Sequence, residues 1–253
     1  MELTTSRWRR AAHFAVLELR QPAAFLLPLR VFIAVGWLRA STEKLIDPGW
    51  YEGSALRAFI TDQLSWSQEA FPFYGWLMQH VLLPNATAVG LGVMTLQLVI
   101  GVAILVGMVT NGALIAGLAL NVSFLMAGVP NPSAFYVVIQ LVLLFGGAGA
   151  VLGVDARLSQ RVTNPLLVAP SKLMAGDLRK RRRVFRLIAV VCAALAVAML
   201  PFVSTLDPAH VVDDPALILV TMFLVGAAMA GVSAVAATGV DTQRKREKVA
   251  SGA

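Results

Sequence analysis

The stretch Thr87–Val109, TAVGLGVMTLQLVIGVAILVGMV, carries no charged residue and a single amide, Gln97, near its middle. A helix needs about 20 consecutive apolar residues to cross roughly 30 Å of hydrocarbon, so this stretch reads as a transmembrane helix. Five more read the same way: Ala24–Ser41, Gly112–Val129, Ala134–Val154, Val184–Pro201 and Ala216–Val240. Composition agrees. Of 253 residues, 58% are hydrophobic and 14% charged, with a mean hydropathy of +0.74, whereas soluble domains carry roughly 25% charged residues. The expected fold class is an all-α polytopic membrane protein with six spans.

Working outward, the basic residues set an orientation. The segment before Ala24 carries Arg7, Arg9, Arg10 and Arg20; Asp155–Arg186 carries nine bases and the tail after Val240 four. Thr42–Ala86 has only Lys44 and Arg57 against five acids, and Thr205–Pro215 has no Lys or Arg against three acids. The positive-inside rule then places both termini in the cytoplasm of a multi-pass plasma (inner) membrane protein. Orientation accounts for the net charge of +7 without any nucleic acid. The basic run Arg179 to Arg183 reads as a topology signal, or as a patch for anionic lipid. The first span starts too late and runs too long for a cleaved signal peptide, so it is expected to be retained.

Gly90, Gly92, Gly101, Gly107, Gly112, Gly117 and Gly128 in the second and third spans, and Gly146, Gly147, Gly149 and Gly153 in the fourth, suit close helix packing. The last two spans are rich in Ala, Val, Leu and Met and follow a basic linker. The expected organisation is therefore a four-helix unit over 1–158 with an aromatic-rich outer loop at 42–86, a cytoplasmic linker at 159–183, a two-helix addition at 184–240 and a cytoplasmic tail at 241–253. The outer loop holds Trp50, Tyr51, Phe59, Trp66, Phe71, Phe73, Tyr74 and Trp76 and a potential amphipathic turn with Leu56, Phe59, Ile60 and Leu64. It reads either as an interfacial layer or as a lid over a cavity opening outward.

Polar groups at membrane depth are costly and mark packing or function. The candidates are Arg30, Arg39, Lys44, Gln97, Asn121 and Gln140. Arg30 and Arg39, nine residues apart, fall on opposite helix faces at about 100° per residue. Arg30 is the inward one, and Arg39 is placed to pair with Glu43 one turn on. Each has a plainer reading as a packing hydrogen bond or an ion pair.

Cys192 is the sole cysteine, so dithiol chemistry has no pair to carry it and Cys192 reads as a buried small residue. His13, His80 and His210 lie in three separate non-spanning segments, and neither bound haem nor a metal is expected.

The segments Leu29-Arg30-Val31-Phe32, Gly36-Trp37, Glu43-Lys44-Leu45-Ile46-Asp47-Pro48-Gly49-Trp50, Gln97-Leu98-Val99-Ile100-Gly101 and Leu105-Val106-Gly107 resemble, in order and spacing, the DoxX/DoxD family. The likeness continues through Asn121, Phe124-Leu125-Met126, Asn131-Pro132, Gly147-Ala148-Gly149 and Leu152-Gly153-Val154-Asp155. It covers roughly the first 158 residues. The resemblance implies a four-helix membrane unit and an activity like that of the membrane subunit of thiosulfate:quinone oxidoreductase, with quinone as substrate. Two positions depart from the family: Gln97 stands where Glu is common, and Thr110-Asn111 where a basic residue is common. The six candidates are all hydrogen-bond donors of the kind a quinone carbonyl needs as charge develops on it. No Gly-x-Gly-x-x-Gly follows a strand, so the electron donor is expected to be a redox protein partner. The alternative is a non-catalytic membrane scaffold or assembly factor anchoring a partner enzyme.

Overall fold

The computed structural model describes residues 22–129, 133–158, 161–162, 164, 166–168, 178–203 and 215–250. The N-terminal basic segment, most of the basic linker, the stretch 204–214, and with them His13, His210 and Asn131-Pro132, lie outside the described residues. Every regular element among those described is helical.

A 3-10 turn at Pro22–Leu26 leads into α1 (Leu27–Ile46). Asp47 ends that helix in an extended conformation and starts the next, its carboxylate accepting from Gly49 N at 2.9 Å with Pro48 in the first turn; both are standard helix-start devices. Three helices follow, α2 (Pro48–Glu52), the longer α3 (Ser54–Ala70) and α4 (Pro72–Leu77), then one π turn at Met78–Leu82. The apolar helices α5 (Ala86–Val106), α6 (Thr110–Met126) and α7 (Ser133–Gly146) complete the first part. After the single turn α8 (Asp155–Leu158), α9 (Leu178–Met199) and α10 (Pro215–Ala250) pair lengthwise, and α10 docks this hairpin against α7 and α6. Arg179 to Arg183 form part of the first turns of α9.

Ala24–Ile46, Ala86–Val106 and Arg182–Phe202 are long and apolar enough to cross a membrane; α6, α7 and Ala216–Gly231 are apolar but shorter. With Leu187, Val190 and Val197 of α9 all about two-thirds exposed, the apolar surface points outward as in a membrane protein.

Two boundaries and one segment differ from the expectation from sequence. α1 continues to Ile46, so the connecting segment starts at Asp47 rather than Thr42. That segment is helical almost throughout: Leu56 and Ile60 are buried, with Phe59 and Leu64 half-buried beside them in a core shared with Leu125, Val137, Leu141 and Leu219. The amphipathic pattern is therefore a packed cap. Ser67 Oγ donates to Met126 O at 3.0 Å and Thr87 Oγ1 to Glu52 O at 3.0 Å, tying cap to bundle. Tyr74 is buried in the cap, which pushes its phenol pKa up, a hydrogen bond with Ser123 partly offsetting this. Finally, α7 stops at Gly146 instead of running to Val154. Gly147 turns left-handed (φ +69°), a conformation glycine adopts without steric penalty, and the chain breaks into a short 3-10 turn.

Candidate functional site

Arg30, Ile33, Ala34, Trp37 and Ser41 are the buried residues of α1, at the i, i+3, i+4, i+7 spacing that lines one helix face. Lys44 continues the same stripe, seven residues beyond Trp37. The six candidates separate along it into two unlike environments.

At one end, both terminal nitrogens of Arg30 are bonded within the protein, while its Nε has no partner. Its Nη1 donates to Ala148 O at 2.8 Å and Val151 O at 2.6 Å, and Nη2 to Leu152 O at 3.2 Å. These carbonyls are left without helical partners by the early end of α7, and a planar guanidinium with five donors can collect them at once. Asp155, fully buried, accepts from Val109 N at 2.6 Å and Thr110 N at 2.8 Å and so caps the start of α6. Val109 (φ +52°) and Leu152 (φ +46°) are the described non-glycine residues with left-handed backbone. That conformation costs about 1–2 kcal/mol per residue, and both are clamped here, one by Asp155 and the other by Arg30. Glycines let the backbones meet: a Cβ on Gly153 would stand 2.7 Å from Gly149 O and 2.9 Å from Gly107 O.

A dry layer of Ile33, Ala34, Ile104, Leu114 and Leu143 lies beyond this cluster in the core. Past it, a cavity of about 260 Å³ opens between α1, α5, α6, α7 and the cap. Lys44, Gln97 and Asn121 line it, among apolar and aromatic walls that include Trp37, Trp50 and Tyr136. Gln140 stands behind Asn121: Asn121 Nδ2 donates to Gln140 Oε1 at 3.0 Å, both side chains buried. Gly117 makes room for this pair, since a Cβ there would overlap Gln140 Nε2 and stand 3.3 Å from Trp37 Cζ2. Four of the six candidates thus gather at one chamber. The cap supplies part of its wall through Trp50, Leu56 and Phe59, the geometry of a lid.

Three buried polar atoms around this chamber have no partner: Trp37 Nε1, Gln97 Oε1 and Gln140 Nε2. Unpaired buried polar groups cost roughly 1–3 kcal/mol each, and in native proteins they call for a ligand, a water or a functional reason. Lys44 Nζ donates to Ala40 O at 3.2 Å and lies 4.8 Å from the centre of the Trp50 ring. Trp37 and Tyr136 stand tilted at 60° to each other, with ring centroids 6.2 Å apart.

No protein-family model, curated protein or solved structure matches this chain.

Arg39 is elsewhere. Its Nε donates to Glu43 Oε1 at 2.8 Å on the exposed face, the i,i+4 ion pair that the spacing implies. His80 is exposed and stacked on Trp76 at 5.2 Å, and Cys192 is half-buried in α9, facing Gly226 of α10. Among the described residues no three His, Cys, Asp or Glu side chains converge. Reasoning from sequence passed over Trp37, Tyr136 and Asp155 as individual players. For Trp37 the signal was present in the seven-residue recurrence Arg30, Trp37, Lys44; for Asp155 it was an acid placed next to a glycine-rich helix end.

Proposed function

We propose that the chain is a DoxX-like membrane subunit that docks a quinone headgroup in the Lys44–Gln97–Asn121 cavity and takes its electrons from a redox partner protein. The observation that carries this is the convergence of three polar candidates on one aromatic-walled chamber at the end of the bundle under the cap. A volume of about 260 Å³ lies just below the roughly 300–1,000 Å³ of pockets that enclose drug-sized ligands. It suits a single ring, the isoprenoid tail staying in lipid. Aromatic walls favour a flat conjugated body, and the Gln97 and Asn121 amides are placed to meet its carbonyl oxygens as negative charge develops during reduction. Arg30 is removed from the binding set by its three carbonyl bonds, and Arg39 by its position.

In this reading the six apolar helices all cross the plasma membrane, both termini are cytoplasmic, and the cap and cavity face outward. The basic segment at 179–183 then lies at the cytoplasmic surface, where it can meet anionic lipid. The protein reconstituted in lipid nanodiscs and titrated with a short-tailed ubiquinone or menaquinone is expected to show saturable quenching of the Trp37 and Trp50 fluorescence, lost in Gln97→Leu and Asn121→Leu. A folded protein that shows no saturable quenching, yet co-purifies with an enzyme, would instead favour the anchoring role.

A further inference from the structure

Among the described residues lining the cavity, Lys44 alone carries a formal charge at neutral pH, and none is acidic. Its ammonium has three N–H donors. One goes to Ala40 O, and Trp50 offers only its ring face. The adjacent acid, Glu43, is held by Arg39 at 2.8 Å. Among the described residues, a half-buried cation at the edge of an apolar chamber is thus in contact only with a neutral carbonyl and an aromatic ring, Glu43 acting on it through the field alone while its carboxylate is bonded to Arg39. At membrane depth such a charge is costly unless paired, and a charge-assisted hydrogen bond is about twice as strong as a neutral one.

We infer that the cavity takes its ligand as an oxyanion carried on an apolar body, with Lys44 as the counter-cation and Gln97 and Asn121 holding the neutral end. This rests on the same cavity as the quinone reading and sharpens it: the bound species is the deprotonated or charge-bearing form of the ring compound rather than the neutral quinone. The same chemistry, an anionic oxygen on a hydrocarbon body, is offered by a fatty-acid carboxylate, so the test separates the two sources.

The test uses the full chain in nanodiscs, with calorimetric titration against empty discs. The probes are lawsone, a hydroxynaphthoquinone that is an enolate anion at neutral pH, its neutral parent naphthoquinone, and decanoate with decanol as its neutral counterpart. Native protein is expected to bind lawsone about tenfold or more tightly than naphthoquinone. Lys44→Met should lower lawsone affinity about tenfold more than naphthoquinone affinity and so erase that preference, and Lys44→Arg, which keeps the charge, should restore it. If decanoate binds in a Lys44-dependent way and neither quinone binds, the oxyanion inference stands and the quinone reading falls. Equal affinity for lawsone and naphthoquinone would overturn the inference and leave the quinone reading intact. A preference that survives Lys44→Met, or no binding of either anion, overturns it as well.

Discussion

The two ends of the bundle formed by α1, α5, α6 and α7 differ in the kind of buried polar group they hold and in how far it is bonded within the protein. Around Arg30 the two charged groups carry five bonds between them, the guanidinium serving three carbonyls and the Asp155 carboxylate two amide N–H groups, with Arg30 Nε and Thr110 Oγ1 left over. Around Gln97 the groups are equally buried, yet Trp37 Nε1, Gln97 Oε1 and Gln140 Nε2 are left over. A polar side chain in an apolar span can therefore be architecture or site, and what separates the two is whether its bonds are already made within the protein.

That contrast predicts effects of opposite sign. The largest belongs to the Arg30 end. Asp155→Ala strips the buried caps from Val109 and Thr110 and leaves Arg30 without its nearest acid, at an expected cost of about 3–5 kcal/mol. Asp155→Asn, which keeps one acceptor, should lose less than half of this. Unfolding in mixed detergent micelles reads both; a fold that tolerates Asp155→Ala would show that the cluster is dispensable. Next comes Gly153→Ala, whose Cβ meets backbone oxygen on two sides. Overpacking against rigid backbone should cost about 1–3 kcal/mol in the same assay, without altering ligand binding in the protein that remains folded.

At the open end the sign reverses. Gln97→Leu removes a buried acceptor that has no donor, so stability should hold or rise by about 1 kcal/mol. Binding of a quinone analogue should fall about tenfold, the loss of roughly one good hydrogen bond. A Gln97→Leu protein that unfolds more easily would place Gln97 with Arg30, among the packing residues.

How much of this was legible in the sequence follows from range. Hydrophobic periodicity is local, so the apolar helices, the seven-residue stripe on α1 and the Arg39–Glu43 pair could all be read from spacing alone. The cap was half legible: Leu56, Phe59, Ile60 and Leu64 sat at helical intervals, but what covers them, Leu125, Val137 and Leu219, lies far along the chain. The end of α7 was missed because a run of apolar residues through Val154 outweighs three glycines in any hydropathy window, while the chain in fact turns at Gly147. Gathering Lys44, Gln97, Asn121 and Gln140 needed the order in which four helices pack. Arg30 showed as polar and buried, yet its three carbonyl partners are more than a hundred residues away, and no spacing rule reaches that far.

Arg39→Leu is the smallest expected effect and the sharpest control on the comparison. Arg39 and Arg30 are the same residue type on the same helix, nine positions apart, but the Arg39 side chain is 80% exposed and its ion pair with Glu43 lies on the outer face. An exposed i,i+4 pair contributes little, because both ions stay accessible to water or headgroups and holding two long side chains together offsets the attraction. Arg39→Leu should leave both the unfolding midpoint and lawsone affinity within error of the native protein. The variant also frees Glu43 from its partner, one residue from Lys44. If lawsone affinity falls in Arg39→Leu and returns in the double variant Arg39→Leu with Glu43→Gln, the released carboxylate has turned to the Lys44 ammonium, and the ion pair's role is to keep that cation available to the cavity.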